Sequence, residues 1–148
     1  MLAREGEGWR LAWDDQRHPF PLLVGGADWA TELTACEGRA LLNAIHVLRS
    51  QHLALVDTLM EEETIGLDFT GSVPAAIGDE PAAGGGDGEL CVFLEGNRAT
   101  WSLRFVLHPP GHQRGVEGAW GEGAALAFAG ACALLIDATA TRAGSPGA

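Results

Sequence analysis

The feature that most limits how this chain can fold is an approximate internal repeat at a spacing of 92 residues. It aligns Trp9-Arg10-Leu11 with Trp101-Ser102-Leu103, and Val24-Gly25-Gly26-Ala27 with Val116-Glu117-Gly118-Ala119. The interval from Trp to Val is fifteen residues in both copies, and Trp29 matches Trp120 with one gap, so four of the five tryptophans take paired positions. A chain built this way folds as strands then a helix, twice. A pseudo-two-fold axis would relate two small antiparallel sheets, each covered by one helix, with the tryptophans anchoring equivalent packing sites. Chance matching gives the competing reading of two unrelated hairpins, because 21 glycines make coincidences easy.

The segments between the matches fit that plan. Gly8–Asp14 alternates Trp9, Leu11 and Trp13 with Arg10, Ala12 and Asp14, the period of a half-buried strand. A turn-forming stretch with Pro19 and Pro21 follows, then short strands at Leu22–Gly26 and Trp29–Leu33. Thr34-Ala35-Cys36-Glu37 has the form of a capping box and predicts a helix start. Leu41, Ile45, Leu48, His52, Leu55 and Leu59 then recur at four and three residues, extending the predicted helix to about Met60. At about 1.5 Å per residue, roughly 39 Å of helix would overhang its own sheet at one end. Further strands are expected over 64–70, 89–95, 99–108 and 114–120, with a turn at Gly96-Asn97-Arg98, before a last helix over 122–138.

The reading is therefore an α+β fold in one domain, residues 1–139. Residues 71–88 form a flexible Gly/Ala/Pro-rich loop, and 140–148 a mobile tail. The triplet Gly84-Gly85-Gly86 is no phosphate cradle, since no Lys or Ser/Thr follows at the required spacing.

Charge restricts the partners. Nine arginines, no lysine and twenty acidic residues give a net charge of −11, which repels polyanions and opposes nucleic acid and anionic membranes. The longest uncharged apolar run, Gly123–Ile136, falls short of the roughly 20 residues that span a bilayer, so no membrane is expected. Met1–Gly8 lacks an apolar core, and Cys36, Cys91 and Cys132 are an odd set without C-x-x-C spacing; both features point to the cytoplasm.

No reaction motif emerges. His46 and His52 project from different helix faces, and His108 and His112 have no further ligand nearby, so neither a metal nor a cofactor is expected. His52 interrupts an apolar stripe, where it is either a hydrogen-bonded core or interface residue or a functional one that needs a partner. Arg10 and Arg104 fall opposite Trp9 and Trp101 on their strands and, with Arg17 and Arg114, could form a basic strip; isolated arginines lying on apolar neighbours are the alternative. Glu61-Glu62-Glu63 reads as a solvated corner. The last helix is apolar nearly all round, so both faces need covering, one by the sheet and the other by another helix, with a second copy as a candidate. Leucine at Ala127 or Gly130 should overpack that contact.

Gly8-Trp9-Arg10-Leu11, His18-Pro19-Phe20-Pro21, Val24-Gly25-Gly26 and Asp28-Trp29-Ala30-Thr31-Glu32-Leu33-Thr34 together resemble the cyanobacterial Domain of Unknown Function 1818 family. Gln51-His52, Trp101-Ser102-Leu103-Arg104-Phe105 and Arg114-Gly115-Val116-Glu117-Gly118-Ala119-Trp120 extend the resemblance over nearly the whole chain; the loop at 71–88 departs from it. The resemblance implies a Whirly-like fold, similar to single-stranded-DNA-binding transcriptional regulators, and supplies no catalytic residues.

The expected function is a non-enzymatic cytoplasmic interaction or regulatory module, homodimeric, with an unidentified protein partner. Leu48 and Leu55 on the long helix are expected to pack against that partner. The alternative is a regulator that binds single-stranded nucleic acid through strand-borne Arg and Trp, which the net charge disfavours. An enzyme comes third, since it would need a pocket gathering Asp15, Arg17 and His18. The candidate interaction residues are Arg10, Arg17, His52, Leu55, Arg104 and Arg114.

Overall fold

The fold is described from a computed structural model for residues 1–74, 76–77, 80–81, 87–109 and 115–144. Alternating apolar residues build the first sheet, a meander of β1 (Leu2–Gly6), β2 (Trp9–Trp13), β3 (Leu22–Gly25) and β4 (Ala30–Leu33). Every neighbouring pair is antiparallel, and Leu11, Leu22, Val24 and Leu33 enter the core from its inner face. β1 was not expected from its charged sequence. Its signal is Glu7-Gly8, a two-residue hairpin turn with Gly8 at φ +80°, a conformation glycine adopts without penalty.

α1 (Ala35–Leu55) begins at the predicted cap. Glu37 N donates to Thr34 Oγ1 at 3.2 Å, and Thr34 N donates to Glu37 Oε1 at 2.9 Å. The helix is shorter than its stripe suggests. Val56–Thr58 tightens into a 3-10 turn, and Thr58 Oγ1 takes up the Leu55 carbonyl at 2.7 Å. Val and Thr are stiff in a helix and Asp competes for backbone bonds, so this is where helical preference runs out.

The second sheet has the order β10-β9-β8-β5, again antiparallel throughout: β5 (Ile65–Val73), β8 (Gly88–Gly96), β9 (Trp101–His108) and β10 (Val116–Trp120). β6 (Ala76–Ile77) and β7 (Glu80–Pro81) pair beyond the end of β5. The flexible loop expected from residue 71 is thus corrected at its start: Gly71, Ser72 and Val73 continue the ladder against Leu90, Glu89 and Gly88, and Val73 is buried. Residues 75, 78–79 and 82–86 of that loop lie outside the described residues. α2 spans Glu122–Gly144, so the tail expected from residue 140 begins in helix. From Ala131 to Ala143 neither glycine nor proline interrupts it, before Gly144 and Pro146.

A four-stranded sheet followed by a helix therefore occurs twice along the chain, the second interrupted by the β6–β7 pair, and the finer plan changes in two ways. The spacing of 92 sets β2 against β9, the second strand of one sheet against the third of the other. Trp9 meets Phe128 of α2 edge-on at 6.4 Å, whereas Trp101 is buried beside His52 of α1 at 6.0 Å, so their surroundings differ. Nor does each helix cover its own sheet. α1 packs mainly on β5 and β8, while α2 packs on β9 and reaches β1 and β2. With α1 on the second sheet and α2 lying across both, there is one continuous core, with Leu41, Ile45 and Leu48 from α1 and Ala125, Phe128, Cys132 and Leu135 from α2.

Candidate interaction surface

Aromatic packing fixes how the two sheets meet. Trp120, at the end of β10, is 1% exposed and stacks on Phe128 at 4.1 Å between ring centroids. Its Nε1 donates across to the Gly25 carbonyl of β3 at 2.8 Å. Trp29, before β4, returns the contact by donating to the Ala119 carbonyl at 3.1 Å. A Cβ on Gly26 or Gly118 would run into the Trp29 indole, so glycine is what lets the ring lie flat between the sheets.

His52 has a positional role. It is 3% exposed, and its Nε2 lies 2.8 Å from the Asn97 carbonyl; a carbonyl only accepts, so this nitrogen carries the proton. Asn97 Oδ1 in turn accepts from Ala99 N and Thr100 N, closing the β8–β9 turn. The interruption of the apolar stripe thus ties the last full turn of α1 to one hairpin, without a carboxylate. Leu55, one turn on, is 38% exposed. Leu48 is fully buried, so it is a core residue and cannot meet a partner.

The arginines are dispersed. Arg10 faces outward from β2 with Glu5 Oε2 3.5 Å from its Nε, and both side chains are solvated. Arg17, between β2 and β3, donates from Nε to the Phe20 carbonyl at 2.9 Å and lies 3.8 Å from Glu32. Arg104, outward on β9, lies over the Phe93 ring at 4.4 Å, beside a hollow that Asp28 and Glu117 also line. Arg114 and His112 lie outside the described residues. Acidic partners therefore offset two of the arginines from which a basic strip was expected.

The sequence also points to the outer face of α2, and the structure defines it. Leu126 is 45% and Leu134 56% exposed, Ala127 is exposed, and a Cβ on Gly130 would meet nothing within 4 Å. Leucine at Gly130 therefore has no neighbour to overpack within a single chain, and the overpacking expected there would need a second copy. Glu122–Thr139 is long and apolar enough to cross a membrane by length and composition, longer than the uncharged run alone indicated. Its opposite face, with Ala125, Phe128, Ala129, Cys132 and Leu135, is packed into the core. Burial raises the Cys132 thiol far above the ordinary range, and the charge of Arg49 opposes this only in part.

These observations define the protein as an α+β body of two four-stranded antiparallel sheets and two long helices. Residues 4–76 match the model of the family described as Domain of unknown function (DUF1818), so the resemblance read from the sequence holds over this stretch. The crystal structure of a protein of unknown function from the DUF155 family of Prochlorococcus sp. NATL2A is similar, with a TM-score of 0.73 and 27% identity over 91% of this chain and 98% of that one. No curated protein matches the chain.

Proposed function

We propose that the chain is a non-enzymatic interaction module of the cytoplasm that pairs with a second copy of itself through the outer face of α2. The observation that carries this reading is an exposed stretch of α2 bearing Leu126, Ala127, Gly130 and Leu134, with no charged side chain between Glu122 at its start and Asp137 one turn beyond Leu134, on a protein of net charge −11. Two copies repel one another wherever carboxylates meet, so association is cheapest where there are none. Small residues at the centre of the face let backbones approach, and a two-fold pairing sets the same face against itself. Three free thiols are compatible with a reducing compartment.

Sedimentation velocity from micromolar to millimolar protein tests it. A dimer is expected, with Leu134→Asp converting it to a monomer of unchanged circular dichroism. A monomer throughout would overturn the reading. So would a monomer that floats with lipid vesicles, because the apolar face would then be a membrane surface.

Single-stranded nucleic acid on Arg10 and Arg104 stands second. Only Arg104 of this pair is without a carboxylate partner among the described residues, and Trp101 and Trp120 are buried, which removes two stacking platforms. Fluorescence anisotropy with mixed-sequence oligonucleotides at low salt separates the two readings.

A further inference from the structure

We propose that the cleft between α1 and α2 below Trp13 binds an amphipathic carboxylate, an apolar chain or ring ending in a single carboxyl group. The site is independent of the face assigned to self-association. Gly130 and Leu134 project from the side of α2 opposite Leu135, Ile136 and Thr139, which border the cleft.

Three elements converge to shape it. β2 contributes Trp13, α1 contributes Leu42, and α2 contributes Leu135 and Ile136, enclosing about 440 Å³ that opens to solvent. That volume lies within the range of small-molecule sites, and the walls are mainly apolar, as such sites require. Water against these walls is displaced favourably by an apolar ligand of matching width.

Apart from Thr139 the polar groups lie along one edge, and the one that is always charged, Arg39, is cationic. Arg39, Asn43 and His46 recur at four and three residues, which lines them up along one side of α1. Arg39 is exposed and makes no ion pair among the described residues. A narrow continuation of the cleft, past His46, reaches Arg49. Among the described residues no carboxylate lines either part, in a chain with twenty acidic residues. On the far wall, Thr139 Oγ1 already donates to the Leu135 and Ile136 carbonyls at 3.0 Å, so it leaves the polar recognition to α1. An apolar floor with a cationic edge selects a molecule that is apolar along its length and anionic at one end. The guanidinium fork of Arg39 can hold both carboxylate oxygens. A cationic amphiphile would meet Arg39 with like charge.

Isothermal titration of the full-length protein with octanoate tests the site, with octanol as the neutral control. Saturable one-to-one binding of octanoate is expected. Arg39→Gln should weaken it by about tenfold, the loss expected for one charge-assisted contact, while Arg39→Lys retains part of the affinity. Arg39 is exposed, so the fold should survive either change. Ile136→Trp, which fills the cleft from α2, should abolish binding, whereas Leu134→Asp should leave it unchanged even where it dissolves a dimer. Absence of octanoate binding would overturn the proposal. So would octanol binding of equal strength, or octanoate binding indifferent to Arg39→Gln.

Discussion

Trp29 and Trp120 hold the two sheets together through reciprocal hydrogen bonds, each indole donating to a carbonyl next to the other's ring. Trp120 Nε1 reaches Gly25 at 2.8 Å, Trp29 Nε1 reaches Ala119 at 3.1 Å, and the ring centroids are 5.2 Å apart. Phe105 and Phe128 complete the stack around Trp120. Each bond joins residues at least 90 positions apart, so this pair ties the first sheet to the second across most of the chain.

Trp120→Phe keeps a ring in the stack but leaves the Gly25 carbonyl unpaired in a buried setting, which should cost about 1–3 kcal/mol. Trp29→Phe should cost less, because its bond is partly solvated. Urea denaturation of the two single variants and the double variant should give a coupling of about 0.5–1.5 kcal/mol. Strict additivity would mean that the indoles act separately.

His52→Leu should destabilise the protein by about 1–2 kcal/mol despite filling the apolar stripe, because the Asn97 carbonyl loses its donor. His52→Gln, which can still donate, should recover part of the loss. Thermal melts of both variants decide the matter. If Leu is the more stable, the hydrogen bond is not what holds α1 to the β8–β9 hairpin.

Local signals were the legible ones. The capping box at Thr34 and Glu37 could be read because both partners lie within one turn, and the alternation in β2 named the buried Leu11. The partner of Arg10 is a cross-strand acid and that of Arg17 an acid on β4, and the proximity of each depends on a strand arrangement that the chain's local pattern does not state. Trp29 was matched to Trp120, and Trp9 to Trp101, through shared letters rather than shared strand positions; that the first two rings touch each other was not foreseen. The cleft beside Trp13 was not anticipated, since it needs β2, α1 and α2 in their final places. The recurrence of Arg39, Asn43 and His46 along α1 was the one trace of it available beforehand.

The three thiols should separate by accessibility. Cys36 and Cys132 are buried, and Cys91 is half-exposed on β8 with Thr70 Oγ1 3.6 Å away. A chromogenic disulfide reagent at pH 8 should titrate about one thiol in the native protein and all of them in urea. The raised Cys132 group also has a stability consequence. Below its unfolded value of 9.0 the thiol is neutral in both states; above that value only the unfolded chain ionises, so stability should fall as pH rises further. Replacing Cys132 by Ala should remove this alkaline slope, whatever it does to stability at neutral pH. A slope that survives would assign it to another group.

Gly130 gives the sharpest separation between folding and assembly. It lies inside α2 with open space where a Cβ would go and no positive φ to favour glycine. Gly130→Ala should therefore raise the thermal stability of the chain by about 0.5–1 kcal/mol through helix preference alone. Gly130→Leu should also fold, yet its larger side chain would stand in the path of a second α2. If the outer face is the self-association surface, overpacking of about 1–3 kcal/mol should weaken the dimer by roughly ten- to a hundredfold while the melting temperature of the monomer holds or rises. Sedimentation of the two variants side by side makes the comparison. Equal dimer content in Gly130→Leu and the parent protein would place any association elsewhere on the molecule.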